Sequence, residues 1–223
     1  MCAWCVLIAG SAMAQSPAQN AAKGTPQSPA QNASKGGTQG TPQTTACVIR
    51  MDTAGPIRAG MTIRAARLAL PGTVFKQTDE VGGSIAFFAV TRASKRIMDL
   101  YPNQEDGIKE TSKVELIRVY DPACATVEGV HPGMPLIAVE GKFGNLKKLI
   151  IEQSEMREYA QFDKLPSWLE VQVGSGDAGI YDPGQLCTQR YKAAAAVESL
   201  WVSHPIKNKL LDDDQFCKAP EKK

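Results

Sequence analysis

The sequence is poor in the residues from which catalytic and metal sites are commonly built. It contains only two histidines, His131 and His204, and their surroundings match neither H-x-x-x-H nor H-x-x-E spacing. No serine stands in the G-x-S-x-G context that presents a nucleophile in many hydrolases. We therefore expect no catalytic site, no cofactor and no metal site, and we do not expect an enzyme.

Charge and hydropathy argue against two further classes. The formal net charge is only +2, and no cluster of lysine and arginine forms the basic patch that nucleic-acid binding needs. No apolar run approaches the roughly 20 residues that span a bilayer as a helix. We expect neither a nucleic-acid partner nor an integral membrane span.

The N-terminal region predicts export. A short apolar core followed by Ala12-Met13-Ala14, a small-x-small cleavage site, predicts a signal peptide over residues 1–14, although no Lys or Arg precedes the core. Residues 15–46 are of low complexity, with a seven-residue repeat that starts at Gln15 and again at Gln27. This segment has almost no apolar surface to bury, which predicts a disordered linker. The expected location is the periplasm or the exterior of the cell.

Export makes disulfides the natural interpretation of the remaining cysteines. Four follow the predicted signal peptide, namely Cys47, Cys124, Cys187 and Cys217. No two of them lie at C-x-x-C spacing, which argues against metal binding. Four cysteines allow three connectivities. We prefer Cys47–Cys124 with Cys187–Cys217, because the first bridge then ties the ends of residues 47–128 and the second ties the end of the second half of the chain.

A weak internal repeat predicts two modules. Gly60–Ala66 resembles Gly133–Val139 at an offset of 133 − 60 = 73 residues, and self-similarity at a fixed period indicates a repeated unit. We place module one at residues 47–128 and module two at residues 129–206. Residues 207–223 then form a C-terminal tail.

Each module is predicted to be a helix followed by antiparallel strands. Thr62 is a good N-cap for the first helix, and Pro71-Gly72 stops it. The second helix begins at Pro135 and stops at Gly144. The predicted strands are 73–78, 84–92, 96–101 and 114–120 in module one, and 146–153, 156–162, 169–173 and 197–203 in module two. The predicted class is α+β, with both helices packed on one face of a curved antiparallel sheet. One continuous sheet is preferred over two separate sheets.

The helix-start and helix-stop residues resemble a known repeat. Gly60-Met61-Thr62 with Pro71-Gly72, and Gly133-Met134-Pro135 with Gly144, are similar to the repeat of the β-lactamase-inhibitor-protein superfamily. The unit also resembles small outer-membrane assembly lipoproteins of Gram-negative bacteria and, more loosely, the envelope-stress lipoproteins of unknown function. The resemblance implies a helix-backed sheet in the bacterial envelope that contacts other proteins.

Aromatic residues on or near the predicted strands supply the candidate interface. The residues singled out are Tyr120, Tyr159, Trp168, Tyr181 and Trp201. If several of them face outward on one sheet, they form the kind of patch that dominates protein interfaces. Core positions are the alternative for each.

Two other motifs favour ordinary structure. The glycine-rich stretch Gly174–Gly179 lacks the Lys-Ser/Thr ending of a phosphate-binding loop, and a tight turn is predicted there. Glu152, Glu155 and Glu158 are candidates for paired acid–base carboxylates, and a solvated strand edge explains them equally well.

The sequence therefore predicts an exported, non-catalytic protein-binding module of the bacterial envelope. Its partner is expected to be an unknown envelope or extracellular protein. The protein itself would then act as an inhibitor or as an assembly or accessory factor. A periplasmic small-molecule or lipid carrier is the alternative, and an enzyme ranks last.

Overall fold

The computed structural model describes residues 47–79, 85–105, 107–153, 155–203 and 217. The predicted signal peptide, the linker and all of the tail except Cys217 lie outside these residues, as does His204. The described residues form β1 (Cys47–Arg50), β2 (Thr53–Ala54), β3 (Ile57–Arg58), α1 (Ile63–Ala69), β4 (Val74–Asp79), β5 (Ala86–Arg92), β6 (Lys95–Pro102), β7 (Val114–Val119), β8 (Cys124–Thr126), α2 (Leu136–Phe143), β9 (Leu146–Glu152), β10 (Arg157–Phe162), β11 (Leu169–Gly174), β12 (Cys187–Thr188) and β13 (Ser199–Ser203).

The strands form two sheets. The large sheet has nine strands in the order β12-β9-β10-β11-β13-β7-β6-β5-β4, and every pairing within it is antiparallel. The small sheet has the order β3-β2-β1-β8, and its β1–β8 pair is parallel. In the large sheet, β13 pairs with β7, with Trp201 opposite Arg118. The strands of both halves therefore join in one sheet, as preferred from the sequence.

The predicted α+β class with two helix-then-strands modules is wrong. The described part of the chain is mainly β, and its two helices contain only 7 and 8 residues. Three strands precede the first helix, and with β8 they build a sheet that the sequence did not predict. Helices of two turns are too short to cover one face of a nine-stranded sheet, at 1.5 Å of rise per residue and roughly 4.8 Å between strands.

The helix boundaries follow local chemistry. The Thr62 hydroxyl accepts a hydrogen bond from the Ala65 N–H at 3.2 Å, which satisfies one of the free donors of the first turn. Pro135 occupies the N-cap of α2 and supplies no side-chain bond. Gly144 ends α2 with a φ of 82°, a conformation that glycine adopts without steric strain. Both helix starts and the glycine stop were predicted correctly.

One main core and two disulfides hold the described residues together. Ile63 and Ala66 of α1, and Leu136 and Val139 of α2, are buried in the same cluster as strands of both sheets. Cys47 is bonded to Cys124 and Cys187 to Cys217, which is the preferred pairing. The first bond joins two residues that are direct partners in the parallel β1–β8 pair. None of the described helices has both the length and the apolar character that crossing a membrane requires.

Candidate functional site

The large sheet has a second apolar cluster, separate from the main core. It consists of Phe87, Tyr101 and Trp201, with Ala89, Leu116 and Tyr159 packed against it. All six residues belong to strands of the large sheet. We call the side of the sheet that carries them the outer face. Among the described residues, neither helix and no strand of the small sheet contributes to this cluster.

Strand register arranges the outer-face side chains in rows across the sheet. Asp99 lies opposite Arg118, and Arg118 lies opposite Trp201. Trp201 in turn lies opposite Glu170. Directly opposed residues of antiparallel strands present their side chains on the same face. Charged and aromatic residues therefore share one row through the centre of the outer face.

The aromatic rings of the outer face contact one another. The ring centroids of Phe87 and Tyr101 are 5.1 Å apart, and those of Tyr101 and Trp201 are 5.4 Å apart. Both pairs are stacked, whereas Tyr159 meets Trp201 edge-on at 6.3 Å. These separations fall in the range in which aromatic pairs contribute about 0.5–1.5 kcal/mol beyond burial of their area. The result is one connected aromatic group across four strands.

Three arginines lie over aromatic rings of the outer face, among them the ring of Tyr120. The Arg96 guanidinium is 5.2 Å from the Phe87 ring and 4.8 Å from the Tyr120 ring. Arg118 is 4.8 Å from Tyr120 and 4.7 Å from the Trp201 ring. A planar guanidinium stacks on a ring and keeps its edge donors free for other groups. The arginines therefore cover the aromatic group and still have polar edges.

The third arginine also stacks on the tryptophan. The Arg157 guanidinium is 5.1 Å from the Trp201 ring, and it forms an ion pair with Glu155. With two guanidinium groups and two aromatic rings against it, Trp201 is only 6% exposed. The indole therefore lies beneath arginines and does not form an open apolar patch.

Gln172 fixes the centre of the outer face. Its Oε1 accepts hydrogen bonds from Arg118 at 2.6 Å, from the Trp201 indole N–H at 3.0 Å and from the Ser199 hydroxyl at 3.1 Å. Its amide nitrogen donates to Glu198 at 3.1 Å. Gln172 is 1% exposed, so these bonds lie away from water. One buried amide therefore sets the positions of an arginine, an indole and a hydroxyl.

Asp99 lies in the same row, on the side of Arg118 away from Trp201. Its two carboxylate oxygens accept from the Arg96 Nε at 2.6 Å and the Arg96 Nη2 at 2.5 Å. The Tyr120 hydroxyl donates to the same carboxylate at 2.8 Å. Burial, and then the negative charge of Asp99, raise the pKa of Tyr120. Tyr120 is therefore a neutral hydrogen-bond donor throughout the physiological range.

Burial raises the pKa of both Asp99 and Glu170, but only at Asp99 do neighbouring arginines and Tyr120 oppose that effect. Glu170 is half-buried opposite Trp201, and burial raises the pKa of its carboxyl to about 7. The pKa of the nearby Tyr159 is also raised, to about 12, because burial outweighs the opposing effect of Arg157. Glu170 therefore changes its charge near neutral pH.

The predicted interface residues divide into two groups. Tyr120, Tyr159 and Trp201 meet on the outer face, each in contact with one of the arginines. Trp168 and Tyr181 pack instead against the main core. Three of the five predicted aromatics therefore lie on the outer face, where Phe87 and Tyr101 join them. The arginines were missed, although Arg118 alternates with apolar residues along β7, which places it on the opposite face.

The glycine-rich stretch binds a carboxylate of the protein itself. Glu158 is fully buried, and its Oε2 accepts from the backbone N–H groups of Gly176, Asp177 and Ala178 at 2.7–3.0 Å. The other oxygen accepts from the Gly179 N–H at 2.7 Å and the Tyr181 hydroxyl at 2.9 Å. The amides that a phosphate would need are therefore already occupied, in agreement with the predicted turn.

Each of the three glutamates considered as paired acid–base carboxylates has contacts within the protein. Glu158 binds the glycine-rich turn, whereas the Glu155 carboxylate pairs with Arg157. Glu152 accepts from the Glu155 backbone N–H at 3.0 Å. His131 is close to the Pro132 carbonyl, at 2.8 Å from its Nδ1. Within the described ranges, no group of three His, Cys, Asp or Glu residues is arranged to hold a metal ion.

The chain has a distant structural likeness to a protein of Escherichia coli. No protein-family model matches the chain, and no curated protein sequence matches it. Among solved structures, the crystal structure of the uncharacterized protein yfeY from Escherichia coli aligns with a TM-score of 0.47 at 16% identity. The alignment covers 72% of this chain and 100% of that chain. A likeness at this level supports no conclusion about fold or function.

Proposed function

We propose that the protein is an exported, non-catalytic binding module that holds another protein on the outer face of its large sheet. The observation that carries the proposal is the aromatic and arginine group around Trp201, on a side of the sheet to which neither described helix contributes apolar residues. Tyrosine, tryptophan and arginine are the residues most enriched at the energetic centres of protein interfaces. The expected partner is a protein of the bacterial envelope or of the extracellular space.

The rigidity of the outer face favours recognition. Trp201, Arg118 and Ser199 are all bonded to one buried amide, that of Gln172. A surface whose side chains are already ordered loses less conformational entropy when a partner binds. The side chains of Arg96 and Glu198 are 42% and 41% exposed. Both can therefore form charge-assisted hydrogen bonds with that partner.

The disulfides support export. Two disulfides form among the described residues, and such bonds persist mainly in oxidising compartments such as the periplasm. Their presence agrees with the signal peptide predicted from the sequence. We propose a periplasmic or secreted location on these two grounds.

The test uses variants that alter the outer face without disturbing its buried bonds. Lys76 and Ser203 lie on this face, opposite Ala89 and Leu116 respectively. The wild-type chain, a Lys76→Glu/Ser203→Arg variant and a control Lys142→Glu variant are used as baits in extract of the source cells. Lys142 is an exposed position on α2. Captured proteins are identified by mass spectrometry, purified and titrated by biolayer interferometry.

The proposal predicts that the wild-type bait captures a specific protein. That protein should bind the outer-face variant at least tenfold more weakly than the wild type, and the affinity for Lys142→Glu should fall less than twofold. Circular dichroism melts of all three baits establish that they are folded. Equal binding by the wild type and the outer-face variant would exclude the outer face as the binding surface.

A further inference from the structure

A cavity of about 720 Å³ lies beside the Cys47–Cys124 disulfide. Residues of β1 and β8 in the small sheet, the C-terminal end of α1, and the adjoining ends of β5 and β6 line it. Its volume falls within the range of roughly 300–1,000 Å³ that is typical of small-molecule sites. None of the residues of the outer-face cluster lines this cavity.

The walls of the cavity are largely apolar. Leu70, Ile97 and Met98 line it and are 5%, 4% and 2% exposed. The disulfide forms another part of the wall. These side chains form part of the main core, so the cavity extends from that core to the surface. An apolar chain would leave water on entering it, which is the main source of affinity for such ligands.

Two arginines add positive charge to this apolar space. Arg50 ends β1, Arg92 ends β5, and both line the cavity. Within the described part of the chain, neither side chain forms an ion pair or a hydrogen bond. The cavity also has one acid, Asp121, whose Oδ1 accepts from the Ala123 backbone N–H at 3.0 Å. That carboxylate is held in its own turn, so the positive charge is in excess.

From these features we infer that the cavity binds a single-chain amphiphile with an anionic head group. The apolar tail lies against Leu70, Ile97 and Met98, and the head group is bound by Arg50 and Arg92. A guanidinium matches the geometry of both carboxylate and phosphate through paired hydrogen bonds. The shared chemistry is thus an acidic oxyanion on an alkyl chain, from either a fatty acid or a phosphorylated lipid.

The site is independent of the proposed outer-face function. The cavity is lined by the small sheet, the end of α1 and the ends of β5 and β6, and it shares no residue with the outer-face cluster. Loss of ligand binding therefore leaves the proposed function intact, and loss of the protein partner leaves this site intact.

The test measures the binding of three probes to the full chain by isothermal titration calorimetry. The probes are tetradecanoate, tetradecyl phosphate and tetradecanol, which share one tail and differ in the head group. We expect one or both anions to bind with one site per chain and at least tenfold more tightly than the alcohol. Which anion binds more tightly identifies the source of the head group.

Variants separate the head-group and tail interactions. Arg50→Gln/Arg92→Gln changes two exposed side chains and is expected to weaken anion binding at least tenfold while leaving the alcohol unaffected. Ala123→Trp, at an exposed position of the cavity wall, is expected to weaken all three probes by filling the space. Arg58→Gln/Arg64→Gln removes two exposed arginines that do not line the cavity and is expected to change affinity less than twofold.

Three results would overturn the inference. The first is the absence of saturable anion binding to the wild type. The second is equal affinity for the anions and for tetradecanol. The third is an equal loss of anion affinity in the two double-arginine variants, which would indicate a general effect of charge. The arginine variants carry the test even if Ala123→Trp fails to fold.

Discussion

At the scale of single residues, Gln172 connects the polar part of the outer face. Three donors share its side-chain oxygen, and two of them, on Arg118 and Trp201, belong to side chains that are each 6% exposed. A buried donor that loses its acceptor costs about 1–3 kcal/mol, and a charged donor costs more. The stability of this region therefore depends more on one amide than on any one ring contact.

Replacing Gln172 tests this dependence. Gln172→Leu is expected to lower the free energy of unfolding by about 3 kcal/mol or more, because several buried donors lose one acceptor together. Urea denaturation measures the change. Gln77→Leu, at an exposed position of the edge strand β4, is the control, with an expected change within about 0.5 kcal/mol. Similar losses in the two variants would refute the central role of Gln172.

Glu170 makes stability depend on pH in a defined direction. The folded-state pKa of about 7 exceeds the ordinary value of 4.5, so the folded protein holds this proton more tightly than the unfolded chain. The destabilising effect of the ionised carboxyl is absent below pH 4.5, grows between pH 4.5 and 7, and is complete above pH 7. Trp201 lies opposite Glu170, and the charge of Glu170 also acts on Tyr159.

Glu170→Gln is therefore expected to stabilise the protein at alkaline pH. At pH 8 the variant should be more stable than the wild type by up to about 3 kcal/mol, and this advantage should shrink as the pH falls to 4. Urea denaturation at both pH values provides the measurement, with Glu128→Gln on an exposed turn as the control. An advantage that is the same at both pH values would contradict the proposed cause.

At the scale of elements, local patterns predicted the long strands well. Residues 114–120 were predicted as a strand, and β7 spans Val114–Val119. Residues 84–92 were likewise predicted as a strand, and β5 spans Ala86–Arg92. The two-residue strands β2, β3 and β12 escaped prediction because two residues are too few to show a period. β2 and β3 pair with β1 and with each other in tight hairpins, whereas β12 pairs with β9, which is distant in the sequence.

The candidate site was harder to predict for a related reason. Tyr120, Tyr159 and Trp201 meet through pairing between β7, β13, β11 and β10, and single-strand alternation does not specify which strands become neighbours. The alternation along β7 could have placed Arg118 on the face opposite to the core, but its position opposite Trp201 depends on strand pairing. Trp168 lies just before β11 and outside any strand, so strand alternation could not predict its face.

The two disulfides tie different elements, and their removal should have unequal effects. Cys47–Cys124 joins β1 to β8 across 77 residues of sequence, and Cys187–Cys217 spans 30 residues. The entropy of the closed loops gives about 4–5 kcal/mol for the first bond and about 3–4 kcal/mol for the second. We expect Cys47→Ser/Cys124→Ser to lower the urea midpoint more than Cys187→Ser/Cys217→Ser. The reverse order would show that loop length does not decide their contributions.

At the scale of the whole molecule, the centre of the large sheet joins the two halves of the chain. Strand β13 pairs with β11 on one side and with β7 on the other, and the main core includes residues from Ile49 to Val202. A sequence repeat suggested two modules, but the strands and the apolar core continue across the proposed boundary. The described residues from 47 to 203 should therefore behave as one cooperative unit.

Equilibrium unfolding tests this cooperativity. Tryptophan fluorescence and far-ultraviolet circular dichroism should report the same urea midpoint within experimental error, because the rings and the strands are lost together. Leu200→Ala, at a fully buried position of β13, should shift both midpoints equally by removing about 2–5 kcal/mol of stability. Two separated transitions, or a shift in only one signal, would show that the halves unfold independently.

The two edge strands of the large sheet differ in how much unpaired backbone they present. At one end, the short strand β12 covers β9, the Leu186 carbonyl accepts from the Ile151 N–H, and a disulfide anchors Cys187. At the other end, β4 presents six residues that pair on one side only, among the described strands. An unpaired strand edge is a template for the addition of another strand. A foreign strand that extended this sheet would therefore find a six-residue edge at β4 and only a two-residue edge at β12.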